Sequence, residues 1–358
     1  MNESILMKGN EAIGEGLVLA GCRHYFGYPI TPQTEIPEYL AKRLPEVDGV
    51  FLQAESEIAA INMVYGAAAA GKRAMTTSSS PGISLKQEGI SSIASAELPC
   101  VIVNVGRGGP GVGTIQGSQA DYFQSTKGGG HGDYRLLVLA PNSVQEMLDY
   151  TILAFDKADE YRTPVLILSD GVIGQMMEPV TLPAPVTALP PKPWSCSGCE
   201  GRESNLITTL YLQAEKCEAH NKALQEKYAA IAARETRWEE IETADADVVL
   251  VAYGISSRIG LTAVQKARKE GIKAGLLRPV TLWPFPSGAI RALADKGKKF
   301  LVVEQSSGQM VDDVRLAVAE KTEVAFHGRM GGSLPRPQDI LDILRQMPRQ
   351  IHGQTAGK

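Results

Sequence analysis

Short apolar runs alternate with longer amphipathic stretches along most of the chain. In residues 1–185 the runs, each bounded by turn residues, lie near positions 25–28, 50–53, 73–77, 101–105, 136–139 and 165–168. Apolar residues at helical spacing fill the stretches between them, at 10–21, 33–43, 55–70, 83–96 and 143–158. Strands that alternate with helices predict a parallel sheet with helices on both faces.

The same alternation returns after residue 247. Strands are predicted at 248–252, 274–277, 300–303 and, more weakly, 324–327, with helices at 257–270, 287–296, 309–320 and 337–346. Between the two regions, the proline-rich segment 179–202 predicts an extended connector, and 204–241 predicts a long helix. We therefore expect an α/β protein with two parallel-sheet domains, over 1–185 and 247–358, joined by a linker and helix over 186–246.

Composition and charge narrow the class of protein. Hydrophobic residues make up 44% and charged residues 21% of the chain, which is ordinary for a globular protein. No apolar run approaches the roughly 18 residues of a membrane span, and the N-terminus lacks a signal-peptide pattern. The five cysteines are too scattered for a disulfide framework. We expect a cytoplasmic protein that makes no membrane contact.

The positive charge is concentrated in the C-terminal region. Residues 247–358 hold 17 Lys and Arg against 10 Asp and Glu, a balance of +7 within a chain of net charge −4. A basic module can bind nucleic acid. These positive residues cluster at predicted helix ends before strands, where solvated charges are common, so we expect a solvated face or a subunit contact and no nucleic-acid binding.

The turn Gly27–Pro32 is the first candidate site. It follows a predicted strand, and ligands of open parallel sheets bind outside the carboxyl ends of strands, where the hydroxyl of Thr31 would lie. Pro29 and Pro32 restrict the loop and would hold that hydroxyl in place. The alternative is a plain turn.

Glu57 is the second candidate. It stands where a predicted strand end runs into a helix, and acidic residues in a first helical turn complement the helix dipole without further function. Glu57 is also followed directly by the apolar residues 58–61. A carboxyl that enters an apolar layer favours its protonated form and can donate a hydrogen bond near neutrality.

The glycine-rich segment Asn104–Gly113 is the third candidate. It lacks the spacing of the known nucleotide-binding loops, and Arg107 is its only long side chain. Arg107 is therefore a natural clamp for a carboxylate or phosphate, and the alternative is a flexible surface loop. His131, in the glycine cluster 128–132, could approach the same crevice or lie exposed in its loop.

Cys196, Cys199, Cys217 and His220 have zinc-like spacing, C-x2-C-x17-C-x2-H. Cys217 and His220 also share the apolar stripe of the predicted long helix, which packing alone would explain. The sequence leaves a metal site at these four residues open, and no other metal ligands are expected in the chain.

Five motifs are spread over nearly the whole chain: Tyr28–Pro32 (YPITP), Ala54–Ala60 (AESEIAA), Thr76–Gly82 (TTSSSPG), Asn104–Pro110 (NVGRGGP) and Arg278–Pro286 (RPVTLWPFP). In sequence and in order they resemble the motifs of one family, the alpha subunits of the 2-oxoacid:ferredoxin oxidoreductases, which depend on thiamine diphosphate. The N-terminal region most resembles the branched-chain 2-oxoisovalerate type, and the 2-oxoglutarate type is close.

The resemblance implies a thiamine-pyrimidine-type domain followed by a transketolase-C-terminal-like domain. It implies that Glu57 bonds the aminopyrimidine ring of the cofactor, and that Thr31 and Arg107 hold the substrate, Arg107 through its carboxylate. The residues that would line the cofactor cleft are Pro29, Ile30, Thr31, Glu57, Ser80, Pro81 and Gly82.

Two missing motifs imply partner subunits. The chain has no G-D-G followed by N-N to hold magnesium and diphosphate, since Asp170-Gly171 has no such follower, and no cysteine run for an iron–sulfur cluster. By resemblance, a beta subunit would carry the diphosphate and Mg²⁺ site. Gamma and ferredoxin-like delta subunits would carry [4Fe-4S] clusters and pass electrons to ferredoxin.

The expected reaction is the oxidative decarboxylation of a 2-oxoacid with coenzyme A as second substrate, which yields acyl-CoA and carbon dioxide. Two alternatives remain at this point. One is the beta chain of a 2-oxoacid dehydrogenase E1 component, which passes its acyl group to lipoamide. The other is a non-catalytic cofactor-binding subunit.

Overall fold

Two parallel sheets organise the chain, whose computed structural model describes residues 4–347. The first sheet has seven strands, of which only one edge strand runs antiparallel to its neighbour. In spatial order they are β12 (Thr281–Trp283), β6 (Leu137–Leu139), β7 (Pro164–Asp170), β5 (Cys100–Gly106), β4 (Ala74–Ser78), β2 (His24–Gly27) and β3 (Val50–Gln53).

The second sheet has five strands, one of which is an antiparallel edge strand. Its spatial order is β14 (Val324–Gly328), β13 (Lys299–Glu304), β10 (Val248–Val251), β11 (Ala274–Pro279) and β9 (Trp238–Ile241). A separate antiparallel ribbon pairs β1 (Ser4–Lys8) with β8 (Met177–Thr181). Every residue of β4, β5 and β7 is buried, which explains the nearly continuous apolar runs of β5 and β7.

Helices connect the strands and cover the sheets, as the alternating pattern predicts. They are α1 (Gly9–Leu19), α2 (Glu35–Arg43), α3 (Glu57–Ala69), α4 (Pro81–Ser95), α5 (Tyr122–Thr126), α6 (Val144–Tyr161), α7 (Gly171–Gln175), α8 (Ala214–Glu235), α9 (Gly254–Lys269), α10 (Ser287–Ala294), α11 (Met310–Val318) and α12 (Pro337–Gln346), with a 3-10 turn at Pro45–Val47. In this part of the chain no helix is long and apolar enough to cross a membrane.

The long helix is shorter than the predicted span 204–241. Residues 204–213 are not helical, and Leu206, Leu210 and Leu212 are exposed, so apolar spacing there has no surface to bury against. The helix ends at Glu235 because the following residues pair with β11.

The ribbon β1–β8 was also absent from the prediction. Its strands are more than 160 residues apart in sequence, and β8 occupies the start of the segment expected to be an extended connector.

Arg278 fastens the two sheets together. It is 1% exposed, and its two Nη atoms donate to the Glu146 carboxylate of α6 at 2.8 and 2.7 Å, while Nε donates to Glu239 at 3.0 Å. The segment that follows it supplies β12 to the first sheet. Sheet membership thus crosses the predicted boundaries, since β9 lies before 247 and β12 after it, and the domain limits themselves remain a prediction.

Candidate active site

A cavity of about 760 Å³ lies where loops of both sheets meet. From the first sheet it is lined by residues that follow β4 and β5, among them Ser80 and Arg107, and from the second by residues that follow β13, among them Ser306 and Gln309. Carboxyl ends of parallel strands are the usual place for a ligand in such folds. We call this space the Arg107 cavity.

Two hydrogen bonds hold the Arg107 side chain in place, and part of its guanidinium is left without a hydrogen-bond partner in the described part of the chain. The side chain is 9% exposed; Nη1 donates to the carbonyl of Thr31 and Nη2 to the carbonyl of Val112, both at 2.9 Å. Its Nε is buried and has no hydrogen-bond partner in the described part of the chain. The structure therefore brings two predicted site residues, Arg107 and Thr31, together. A guanidinium fixed by two carbonyls does not fit the alternative of a flexible surface loop.

The turn before α2 is held by side-chain hydrogen bonds to its main chain, while the Thr31 side chain stays exposed. Asn10 and Gln175 donate side-chain hydrogen bonds to the carbonyl of Pro32, at 2.8 and 3.2 Å. Thr31 is exposed and lines a second cavity of about 600 Å³. Of the two predicted residues before it, Pro29 is exposed and Ile30 half-buried.

Ser80 has an unusual backbone conformation that a polar network maintains. Its φ is 29° and ψ −83°, a region that residues with a side chain rarely adopt. Its N–H donates to Asn104 Oδ1 at 3.0 Å, and its Oγ accepts from the Arg107 N–H at 2.9 Å and donates to Asp121 Oδ2 at 2.6 Å. Strain of this kind is typical of binding sites, because only a well-determined surrounding maintains it.

Asp121 is a candidate site residue that the sequence does not indicate. It lines the Arg107 cavity and also accepts a hydrogen bond from Asn104 Nδ2 at 2.9 Å. Burial raises the pKa of Asp121, although its bonds from Ser80 and Asn104 act in the opposite direction. Asp121 belongs to a segment with neither strand nor helix periodicity, so no pattern signals its position.

Glu57 is the first residue of α3, and it is buried at 6% exposure. Ser56 caps the helix by accepting from the N–H of Ala59 at 3.2 Å, which leaves the Glu57 carboxylate uncommitted. Within residues 4–347, no hydrogen bond reaches that carboxylate.

Gly82 makes room for the Glu57 side chain. A Cβ atom placed on Gly82 would lie 2.6 Å from Glu57 Oε1 and would collide with Ser78 Oγ. The structure therefore brings Glu57 against the predicted Ser80–Gly82 turn. Within the described chain the buried hydroxyls of Ser78 and Ser79 have no hydrogen-bond partner. Buried polar groups without partners are rare in folded proteins and indicate a place for a polar ligand.

Lys86 is a second residue that the sequence analysis missed. It is fully buried, one helical turn after Gly82, and its Nζ donates to the main-chain carbonyl of Glu57 at 3.3 Å. Burial lowers the pKa of Lys86 to about 8, against the attraction of Glu57. A single lysine in an amphipathic helix is typical of a solvent-facing position, so its sequence gives no sign of this burial.

The remaining candidates lie apart from the Arg107 cavity. His131 is exposed in its loop. His220 bonds the carbonyl of Ser95 through Nε2 at 2.8 Å and stacks on Tyr211, while Cys196 and Cys199 are exposed. Among the described residues no group of three or more His, Cys, Asp or Glu side chains is placed to hold a metal ion. Stacking on Tyr211 accounts for the position of His220, whereas Cys196 and Cys199 lie exposed.

Asp170 is used by the fold. One of its carboxylate oxygens accepts from the N–H groups of Val172 and Ile173, at 2.9 and 3.1 Å, and caps α7. The other accepts from Ile255 of the second sheet region at 3.3 Å. Burial raises the pKa of Asp170 to about 6.

Family comparisons match both halves of the chain. Residues 15–236 match the family described as pyruvate flavodoxin/ferredoxin oxidoreductase, thiamine diphosphate binding, and residues 246–340 match core domain II of pyruvate:ferredoxin oxidoreductase. A solved split-gene transketolase, described as an inactive tetramer, aligns with 97% of this chain and 98% of its own at a TM-score of 0.59. Its 15% identity supports the fold alone. The predicted fold class is confirmed.

Relatives of known description match the chain over nearly its whole length. The ketoisovalerate oxidoreductase subunit VorB of Methanothermobacter marburgensis is 55% identical over 96% of this chain and 97% of its own. The 2-oxoglutarate synthase subunit KorA of Methanothermobacter thermautotrophicus is 38% identical over 98% of this chain and all of its own.

A solved 2-oxoglutarate:ferredoxin oxidoreductase from Magnetococcus marinus, described with 2-oxoglutarate, coenzyme A and succinyl-CoA bound, superposes with a TM-score of 0.87. It is 29% identical, and the match covers 96% of this chain and 65% of that one. These relatives confirm the resemblance found in the motifs and disfavour the dehydrogenase E1 alternative. The chain belongs to the 2-oxoacid:ferredoxin oxidoreductase family, as a subunit of such an enzyme.

Proposed function

We propose that this chain is the alpha subunit of an enzyme that oxidatively decarboxylates branched-chain 2-oxoacids of the 2-oxoisovalerate class. In the reaction, a 2-oxoacid and coenzyme A give acyl-CoA, carbon dioxide, a proton and two electrons, which pass to ferredoxin. The observation that carries the proposal is the buried Arg107, whose uncommitted Nε faces no partner in the described chain. A guanidinium with free N–H groups suits the carboxylate that all 2-oxoacids share.

The lining of the Arg107 cavity favours an apolar substrate side chain. Arg107 is its one cationic residue among those described, whereas 2-oxoglutarate has a second carboxylate to neutralise. Pro81, Val112 and Met330 supply apolar surface, and the carboxyl of Asp121 disfavours a second anion. The higher identity to the ketoisovalerate subunit, 55% against 38%, points the same way. A 2-oxoglutarate enzyme is the second candidate, on the strength of the other relatives.

The residues around Glu57 fit a thiamine cofactor. Thiamine diphosphate, when bound, supplies the carbon nucleophile and the electron sink that decarboxylation needs. Glu57 would hold a proton at the ring nitrogen of the aminopyrimidine, and the buried hydroxyls of Ser78 and Ser79 would find partners there.

Other residues would shape the cofactor cleft and hold the substrate. The proposed cleft is lined by Pro29, Ile30, Thr31, Glu57, Ser80, Pro81 and Gly82. The Thr31 hydroxyl would donate to the 2-oxo oxygen while Arg107 binds the carboxylate, since the Arg107–Thr31 hydrogen bond keeps the two side by side.

Partner subunits would supply what these residues lack. No acidic cluster within 4–347 is placed for Mg²⁺, and Asp170 is occupied as a helix cap. We infer that a beta subunit holds the diphosphate and Mg²⁺, and that gamma and ferredoxin-like delta subunits carry [4Fe-4S] clusters. The complex would work in the cytoplasm, with ferredoxin as acceptor.

The test is a substrate panel on the complex purified with its natural partners. Each 2-oxoacid is supplied with coenzyme A and a low-potential viologen dye, and lipoamide is omitted. Fastest dye reduction with 2-oxoisovalerate and its branched-chain analogues supports the proposal. Preference for 2-oxoglutarate would establish the second candidate instead, and a dye that no 2-oxoacid reduces would refute both.

A further inference from the structure

Lys86 is a buried cation with few charged neighbours. Helix α3 carries one charged residue, Glu57, and α4 carries Lys86 and the exposed Glu88. Strand β4, which packs on α3, carries no charged residue, and the one charged residue of β7, which packs on α4, is the α7 cap Asp170. Lysine is almost never fully buried without a partner, because removing its charge from water is costly.

The position of Lys86 on α4 couples it to Glu57. Gly82 and Lys86 are four residues apart, so they lie on the same face of the helix. At the first position, the missing side chain leaves room for the Glu57 carboxylate; at the second, the ammonium reaches the Glu57 carbonyl at 3.3 Å. One face of α4 thus contacts both ends of the same residue.

We propose that Lys86 is a positioning residue for Glu57: it fixes the first turn of α3 through the Glu57 carbonyl and supplies a buried positive charge that attracts the Glu57 carboxylate. The proposal rests on the proposed function, in which Glu57 acts on the cofactor. In this proposal Lys86 contributes to activity, while the burial of its charge lowers the stability of the folded chain.

Few other charges act on this ammonium. Glu57 is the one charged group whose attraction on Lys86 is resolved, on either helix or on the neighbouring strands. The loop 127–133 packs on the next turn of α4 through Gln87 and Ser91, and its Lys127 pairs with Asp313. His131 and Asp133 of that loop are exposed. The pH behaviour of the site above neutrality should therefore follow Lys86 itself.

The sign of the pH effect on stability follows from burial. The pKa of Lys86 is about 8 in the fold and about 10.4 for a free lysine, so between these values the unfolded chain binds more protons. The buried charge of Lys86 therefore lowers the free energy of unfolding by its full amount below pH 8. This loss of stability decreases as the pH rises toward 10. Lys86→Met keeps the volume and removes the charge.

The first experiment compares thermal unfolding of wild-type chain, Lys86→Met and the control Lys42→Met, which alters an exposed lysine of α2. We expect Lys86→Met to unfold about 3 °C higher than wild type at pH 7, with the gap closing by pH 10. Lys42→Met should match wild type throughout. This arm needs no substrate, so it is independent of the proposed reaction.

The second experiment measures turnover against pH in the assembled holoenzyme. Wild-type activity should fall as pH rises through about 8, where the Lys86 ammonium loses its charge. Lys86→Met should be about 10²-fold slower and lack this alkaline limb. Lys86→Arg, whose guanidinium stays charged, should move the limb to higher pH.

The outcomes separate positioning from a structural role. A Lys86→Met chain less stable than wild type, with an unmoved alkaline limb, would overturn the proposal. If that variant does not fold, Lys86→Arg decides: a shifted limb supports positioning, and a limb at the wild-type pH overturns it. The wild-type complex could oxidise no 2-oxoacid while Lys86→Met still unfolds at a higher temperature than wild type at pH 7. In that case the proposed reaction is wrong, and the interaction of the buried Lys86 charge with Glu57 is still supported.

Discussion

Glu57 and Glu304 are both buried carboxyls beside the start of a helix, and the fold uses them differently. Glu304 ends β13 and accepts hydrogen bonds from the main-chain N–H groups of Met310 and Val311, each at 3.0 Å, and from Ser306 Oγ at 3.0 Å. Glu57 accepts none within the described chain. A carboxylate saturated by the fold is a structural cap, whereas one with open acceptors is available to a ligand.

Replacing each acid by glutamine should therefore affect different properties, turnover at Glu57 and stability at Glu304. The largest effect is expected at Glu57. Glu57→Gln removes the proton-holding group, and turnover of the assembled complex should fall by about 10³-fold. Steady-state dye reduction gives the rate, and analytical ultracentrifugation confirms assembly. A complex that assembles and retains near-normal turnover would favour the non-catalytic cofactor-binding subunit instead.

Arg107→Lys should have the next largest effect. Lysine cannot bond both the Thr31 carbonyl and a carboxylate in a planar fork, so kcat/KM for the 2-oxoacid should fall by about 10²-fold. Initial rates over a range of 2-oxoacid concentrations measure this change, with the KM for coenzyme A as an internal control. An unchanged kcat/KM would remove Arg107 from the substrate site.

Glu304→Gln should act on stability and leave the chemistry intact. An amide offers fewer acceptors to the N–H groups at the start of α11, so the free energy of unfolding should drop by about 2 kcal/mol. Denaturant unfolding of the chain measures this, and turnover per folded complex should stay at the wild-type level. A selective loss of turnover would mean that Glu304 belongs to the active site.

The smallest effects compare two helical glycines. Gly82→Ala places a methyl group against Glu57 Oε1 and should reduce turnover about tenfold by displacing the carboxylate. Gly66, in α3, has open space around it, so Gly66→Ala should leave turnover unchanged and stabilise the helix by about 1 kcal/mol. Equal turnover in the two variants would show that the room at Gly82 is not needed.

Elements buried on both faces could be predicted from the sequence because their apolar runs are local signals. Strand β5 at Cys100–Gly106 contains the predicted strand 101–105, and β10 at Val248–Val251 is within one residue of its prediction. The ribbon β1–β8 could not be predicted, since each strand is short and its partner is far away in sequence. The junction at Arg278 was known only as a family motif, and its bidentate contact with Glu146 is visible only in three dimensions.

The residues of the candidate site also fall into two groups, those that a local sequence pattern indicates and those that depend on tertiary contacts. Arg107 could be chosen because a glycine-rich loop leaves one long side chain, and its contact with Thr31 joins two predicted residues across 76 positions. Asp121 and Lys86 act through tertiary contacts with Ser80 and Glu57, which no local pattern encodes. The zinc-like spacing of the cysteines and His220 shows the converse, since among the described residues a suggestive spacing in sequence does not bring three ligating side chains together.

The central claim is that Glu57 meets a thiamine cofactor whose diphosphate is held by another polypeptide. Isothermal titration of thiamine diphosphate with Mg²⁺ into the chain alone, and into the complex, tests it most directly. We predict saturation at micromolar concentrations in the complex and no saturation of the chain alone up to about 1 mM. Equally tight binding to the isolated chain would contradict the claim.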